Sequence, residues 1–121
     1  MSRRDWGQPP VMGRLLELQA PQVVPDGAGG QQRDWVTLGT LWAHVRAGPG
    51  RELGARAGGE VTRALQSFRV VVRSAPVGDP ARPAPDQRFR EGTRVFVIIA
   101  VAEDDPGGRY LTCHVREEVA A

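Results

Sequence analysis

The sequence is poor in the residues that staple a fold or do chemistry. It has one cysteine, Cys113, and two histidines, His44 and His114, far apart along the chain. A lone thiol excludes an internal disulfide, and one cysteine with two separated histidines falls short of a structural zinc site. Aromatics make up only 6%, too few for the stacking platforms that hold single-stranded nucleic acid. No apolar run reaches the length of about 18 residues that a membrane span needs, and Arg3-Arg4 are followed by no apolar stretch. The chain is therefore expected to be soluble, with neither anchor nor secretory signal. Lysine and asparagine are absent, so all 16 basic residues are arginine, which a GC-rich genome explains most simply. The formal net charge is only +2, short of the concentrated positive charge of a protein held to phosphates by electrostatics alone.

What is present is strand and turn. A chain of 121 residues makes one ordinary core, and 15 glycines with 10 prolines promise abundant loops. Residues 1–13 contain Gly7, Pro9 and Pro10 without periodicity and read as an irregular arm. From Arg14 to Ala20, Leu16 and Leu18 alternate with Glu17 and Gln19, the period of a half-buried strand, and Pro21, Pro25 and the Asp26–Gly30 cluster are expected to end it. Residues 35–46 are aromatic and β-branched, but their inward phase is ambiguous: Leu41, Ala43 and Val45 share one face, Val36, Leu38 and Trp42 the other. Gly39 marks a bulge that would switch the phase. Trp42 is read first as a core residue, with an interface anchor as the alternative.

Residues 47–60 hold Gly48, Gly50, Gly54, Gly58 and Gly59 around Arg51 and Glu52, and read as a flexible excursion with at most one or two helical turns. Residues 61–73 place Phe68, Val70 and Val72 on one face and Ser67, Arg69 and Arg73 on the other. Four prolines make 74–86 a surface loop. A short strand over 87–90 leads to Arg94 and an unbroken apolar run to Ala102, expected to be buried on both faces. After a Glu103–Gly108 turn, Leu111, Cys113 and Val115 point inward, opposite Tyr110, Thr112, His114 and Arg116. The fold class is all-β: a small antiparallel β-barrel of five to six strands over 14–119 with long Gly/Pro-rich loops, closed because closure removes unpaired edges.

Chemistry is scarce. No serine or cysteine stands beside His44, Cys113 next to His114 alternates to the inward face and reads as a small core residue, and Glu103-Asp104-Asp105 reads as a solvated turn rather than a cation site. Gly48-Pro49-Gly50 lacks the Gly-Lys-Ser/Thr of a phosphate loop. No catalytic residue, metal or cofactor is expected. Arg46, Arg51, Arg56 and Arg63 flank the glycine-rich excursion and are candidates to meet DNA phosphates without reading bases, against the plainer reading of a solvated face diluted by Glu52 and Glu60.

The order of three segments resembles the head–tail joining proteins of tailed phages and gene transfer agents, the head-closure or stopper group. These are Arg14-Leu15-Leu16-Glu17-Leu18-Gln19; Thr40-Leu41-Trp42-Ala43-His44-Val45 before Gly50-Arg51-Glu52-Leu53; and Arg94-Val95-Phe96-Val97-Ile98 after Gly92. The resemblance covers about 14–119 and implies a ring of copies, six in number, in the neck between the portal adaptor and the tail proteins, around a channel for double-stranded DNA. It implies assembly in the cytoplasm, no membrane contact, and a gate made by 47–60, with Gly48, Gly50, Arg51, Glu52, Arg56, Gly58 and Gly59 in the gate. The proline-rich loop and the N-terminal arm depart from the pattern. A nucleic-acid-binding small barrel and a tail-terminator-type neck protein are the alternatives.

Overall fold

The computed structural model describes residues 9–52, 56–57, 60–61 and 65–118, with side chains over 9–48 and 66–118. Its strands are β1 (Arg14–Pro25), β2 (Gln31–Glu52), β3 (Arg56–Ala57), β4 (Glu60–Val61), β5 (Leu65–Arg73), β6 (Arg88–Glu91), β7 (Arg94–Ala102) and β8 (Tyr110–Glu118). No helix occurs among the described residues. Six strands close an antiparallel barrel in the order β1-β2-β5-β8-β7-β6, and β6 returns to β1 through Leu18 opposite Phe89. The expected all-β barrel is the observed one.

Its core is the set of inward positions that alternation marks. Leu16, Leu18, Ala43, Val70, Val72, Phe89, Phe96, Ile98, Leu111, Cys113 and Val115 form one cluster, with Leu41, Val45, Phe68 and Val101 packed against it. Phe68 meets Phe96 edge-on, with centroids 5.5 Å apart. Burying each large apolar side chain contributes roughly 1.5–3 kcal/mol, so a dozen such groups suffice for a small domain. Burial also pushes the Cys113 thiol up to about 12, which keeps it protonated and unreactive at neutral pH.

Strand directions sort the connections between two ends. At one lie the β1–β2 turn, the 74–87 connection and the 103–109 turn; at the other lie the β6–β7 turn and the connection from β2 to β5. We call these the loop end and the hairpin end. Two bidentate ion pairs close the hairpin end: the Arg14 guanidinium donates to Glu91 and that of Arg94 to Glu117, with Arg94 also over the Phe96 ring at 4.9 Å.

The structure corrects several expectations. Strand β1 runs through Pro21 to Pro25 because β6 pairs with it only over Glu17–Gln19; past Gln19 it pairs with β2 alone, and its other edge tolerates the missing proline donors. The ambiguous phase of β2 is settled by a bulge beside Gly39: Leu18 opposes Gly39 while Gln19 opposes Thr37, leaving Leu38 as the extra residue. Ala43 is thereby buried and Trp42 is 56% exposed, so Trp42 is not a core residue. Strand β7 is buried on one face only, since Ile99 is an extra residue between Ile98 and Ala100 and is 45% exposed. Thr112, expected outward, is only 2% exposed because its hydroxyl donates to Asp104 at 2.9 Å. Tyr110 is buried as well.

Candidate functional site

The described residues of the segment singled out for its glycines are strand. Beyond the barrel wall β2 and β5 stay paired, Arg51 opposite Gln66 and Glu52 opposite Leu65, and β3 pairs with β4 through Arg56–Val61 and Ala57–Glu60. The helical turns considered for 51–57 are absent at Arg51, Glu52, Arg56 and Ala57, which are all extended. Arg51 and Glu52 are held extended by pairing with β5, and Arg56 and Ala57 by pairing with β4. Gly58, Gly59 and Arg63 lie outside the described residues, as do the side chains of Arg51, Glu52 and Arg56.

Gly48-Pro49-Gly50 takes the irregular place in that ladder. Ala47 opposes Phe68 and Arg51 opposes Gln66, so three residues of β2 face Ser67 alone. A bulge of this kind accepts proline, which has no donor to lose there. Gly48 is needed for close approach, since a Cβ on it would stand 3.1–3.2 Å from Ser67 Cβ and backbone. The sequence motif that superficially suggests a phosphate loop is thus the joint between the barrel and its hairpin.

Register adds basic residues that sequence order does not join. Arg46 opposes Arg69 on β5, and Arg69 opposes His114 on β8, while Arg116 opposes Ser67 one step further on. Arg46, Arg69, His114 and Arg116 are all half-buried and share the outer face of the β2–β5–β8 wall at the base of the hairpin. Arg46 was visible in the sequence as a basic neighbour of the excursion; Arg69, His114 and Arg116 were visible only as outward strand positions, and nothing short of the strand pairing brings them together. The Arg69 Nε is buried without a hydrogen-bond partner.

The loop end is built differently. In the 74–86 connection Pro83 is fully buried, Arg82 donates to the Ala75 carbonyl at 2.9 Å and pairs with Glu103, and the Asp86 amide donates to the Ile98 carbonyl. In the acidic turn that follows β7, Glu103 and Asp104 are exposed as expected, but Asp105 is not. Asp105 is 7% exposed, and its carboxylate accepts from the backbone amides of Gly107, Arg109 and Tyr110 at 2.8–3.2 Å. Burial alone would raise its pKa, but these donors and the nearby Arg109 hold it below the usual carboxylate range. Glu103, Asp104 and Asp105 each serve the turn or its neighbours, and no group of three or more metal-ligating side chains occurs among the described residues.

A groove of about 770 Å³ separates this loop end from β2. Leu18, Leu41 and Val72 form its floor and Met12, Trp42 and Pro80 its walls. It runs along the part of β2 before Ala43, where β5 no longer pairs with that strand. The floor is apolar, and the wall Trp42 stands next to the exposed Leu15 across the β1–β2 pair.

Comparison with known proteins places this architecture. Residues 8–118 match the phage head completion protein family. No curated protein matches the chain. A solved chain described as part of the virion of a native gene transfer agent particle is similar at 52% identity with a TM-score of 0.75, over 93% of this chain and 100% of that one. A match across the whole barrel, hairpin included, makes the chain a member of the phage head completion protein family.

Proposed function

We propose that this protein is a structural component of a phage-like particle, set in the neck where the filled head is joined to the tail. Its work there is closure rather than catalysis: copies arranged as a ring, six in the reading adopted here, sit between the adaptor and the tail proteins and surround the DNA channel. The family match over 8–118 and the likeness to a gene transfer agent virion chain support the neck role. A single small barrel is too narrow to enclose a duplex within its own wall, so a channel requires several copies with repeating contacts.

The hairpin is the element assigned to the channel. The single observation that carries this is the continuation of β2 past the barrel to Glu52, through a glycine-proline-glycine joint, into a second paired ladder. A gate needs two arrangements of one segment, and a narrow hairpin hinged at a bulge supplies them more readily than a barrel wall does. Gly48, Gly50, Glu52, Gly58 and Gly59 belong to this gate, and Arg46, Arg51, Arg56 and Arg63 are assigned to passing phosphates, which they would contact without reading sequence.

The test is to replace 49–64 by a tight turn and produce particles with the shortened protein. The barrel should fold, because halving a loop changes closure entropy by only about 0.6 kcal/mol. Retention of packaged DNA should fall. Exchanging Arg51 and Arg56 for Gln then separates charge from sterics, since a phosphate contact makes retention less salt-dependent when removed and a steric plug does not. Particles that fold, assemble, hold and deliver DNA normally with the short turn would refute the gate.

A further inference from the structure

Basic side chains face one another across three neighbouring strands of the barrel wall. Arg46 on β2 stands directly opposite Arg69 on β5, and Arg69 directly opposite His114 on β8, with Arg116 on the same outer face two residues beyond His114. Directly opposed residues of an antiparallel pair have Cβ atoms about 4.5–5.5 Å apart, and like charges placed so destabilise the sheet. Elsewhere the described strand pairs avoid this, since Glu17 faces Arg90 and Glu91 faces Arg94. The acids at the end of β8 do not offset the row. Glu117 is held by Arg94, and Glu118 is exposed at the last position of the strand.

A second observation points the same way. The Arg69 Nε is closed off from solvent and no acceptor reaches it. An unmet buried donor costs about 1–3 kcal/mol, and a fold that keeps one marks a place for an acceptor from outside the chain. Arg46 and Arg116 are engaged within the protein, and a guanidinium with five N–H donors keeps others for a further acceptor. What the row calls for is negative charge carried on several acceptor oxygens, which is the chemistry of a phosphate.

Position selects the source of that phosphate. Arg69 lies three residues, about 10 Å, from Gln66, where β5 pairs with the outer part of β2 beyond the bulge. The major groove of DNA alone is about 12 Å wide, so a duplex in contact with the hairpin is broad enough to reach the row as well. We infer that Arg46, Arg69, His114 and Arg116 form a phosphate-binding row on the barrel wall, which holds the DNA duplex at the base of the hairpin. The row is built on three paired strands and so is fixed in place, whereas a gate needs a segment with two arrangements. Holding and gating are thereby divided between neighbouring parts of the chain. The inference rests on the DNA channel of the proposed function and adds Arg69, His114 and Arg116 to its contacts.

The test measures binding of the purified full-length protein to a duplex of about 30 base pairs by fluorescence anisotropy, between about 50 and 200 mM salt. Arg69→Gln and Arg116→Gln should each flatten the slope of log K against log salt by about 0.9, and to the same extent for two unrelated duplex sequences. The double variant should bind about tenfold more weakly at the low-salt end. Arg33→Gln, which removes the same charge from the exposed start of β2, should change neither slope nor affinity. Without DNA, Arg69→Gln should melt at or above the parent temperature, because an opposition of like charges is relieved, and added duplex should raise it less than it raises the parent's. A lower melting temperature would make Arg69 a prop of the fold and overturn the inference. Equal losses from Arg33→Gln and Arg69→Gln would reduce the effect to net charge and overturn it too. So would a parent protein that does not bind the duplex, or row variants that bind it like the parent; if those variants nevertheless drop out of particles, the row belongs to an acidic protein surface. The gate stands or falls separately: if duplex binding follows the row while particles with 49–64 replaced by a tight turn hold DNA normally, the gate is refuted and the row remains.

Discussion

The proline-rich 74–86 connection and the glycine-rich 47–60 segment sit at opposite ends of one barrel, and by composition both would pass for loops. They are built on different principles. The proline-rich connection is sewn down: Pro83 is buried, Arg82 bridges Ala75 and Glu103, and the Ser74 amide donates to the Arg109 carbonyl of the neighbouring turn. The glycine-rich segment carries the β2–β5 ladder outward through a bulge opposite Ser67. Proline restricts φ and removes donors, so a proline-rich stretch becomes stable once side chains and a few amides anchor it; glycine permits the close approach that lets two strands resume pairing beyond an irregularity. The first makes a cap, the second a ladder that runs on past the barrel wall.

That contrast breaks most visibly if the cap is made to bury charge. Pro83→Asp and, as its counterpart within the core, Cys113→Asp should each destabilise by about 3 kcal/mol or more, since a carboxylate would replace an apolar group with no partner. Cys113→Ala should be mild. Chemical denaturation midpoints read both, and a thiol reagent that labels native Cys113 as fast as the unfolded chain would contradict its place in the barrel.

At the bulge in that ladder, Gly48→Ala should cost about 1–2 kcal/mol, because the added methyl meets Ser67 Cβ and backbone at 3.1–3.2 Å and backbone does not yield cheaply. A neutral result in thermal melting would mean that the bulge relaxes freely and that the hairpin is not mechanically coupled to β5. In the cap, Arg82→Ala should cost about 1 kcal/mol through its bond to the Ala75 carbonyl, whereas Glu103→Gln should cost a few tenths, since that end of the pair is exposed to solvent. Equal losses would show that the ion pair, rather than the bond to the backbone, holds the loop.

Acid should weaken the hairpin end. Hydrogen bonding to Arg14 and Arg94, set against burial, holds the Glu91 and Glu117 carboxyls below their ordinary value of 4.5. A carboxyl whose folded pKa is depressed stabilises the fold above its unfolded pKa and loses that contribution as pH falls through the folded value. Melting temperature should therefore decline below about pH 4.5, modestly because both pairs are partly solvated. The Glu91→Gln/Glu117→Gln variant should show a shallower decline over the same range, and an unchanged slope would remove these pairs from the acid response.

Much of the barrel was legible because its strands alternate. Leu16 and Leu18, Phe68, Val70 and Val72, and Leu111, Cys113 and Val115 lie on the faces that period two assigns them. Alternation failed where the ladder slips. The extra Leu38 shifts β2 between its two halves, so neither face of 35–46 stood out as inward and Trp42 was read as core. The extra Ile99 does the same in β7, where an all-apolar run carries no contrast from which an outward face could be read. Pro21 and Pro25 looked like strand breakers because composition does not reveal that β1 lacks a second neighbour there. The burial of Asp105 was hidden for another reason: its partners are amides of its own turn, which every sequence possesses. The neck role came from the ordered resemblance of three segments rather than from any chemical motif, and the row Arg46, Arg69, His114 required strand register.

The most direct measurement of the central claim is a reconstruction of the neck of the particle with this chain traced in density. The account predicts a ring of barrels with the 47–60 hairpins nearest the channel axis and the 74–86 caps away from it. Barrels oriented with the proline-rich cap toward the axis and the hairpin in outer contacts would contradict it.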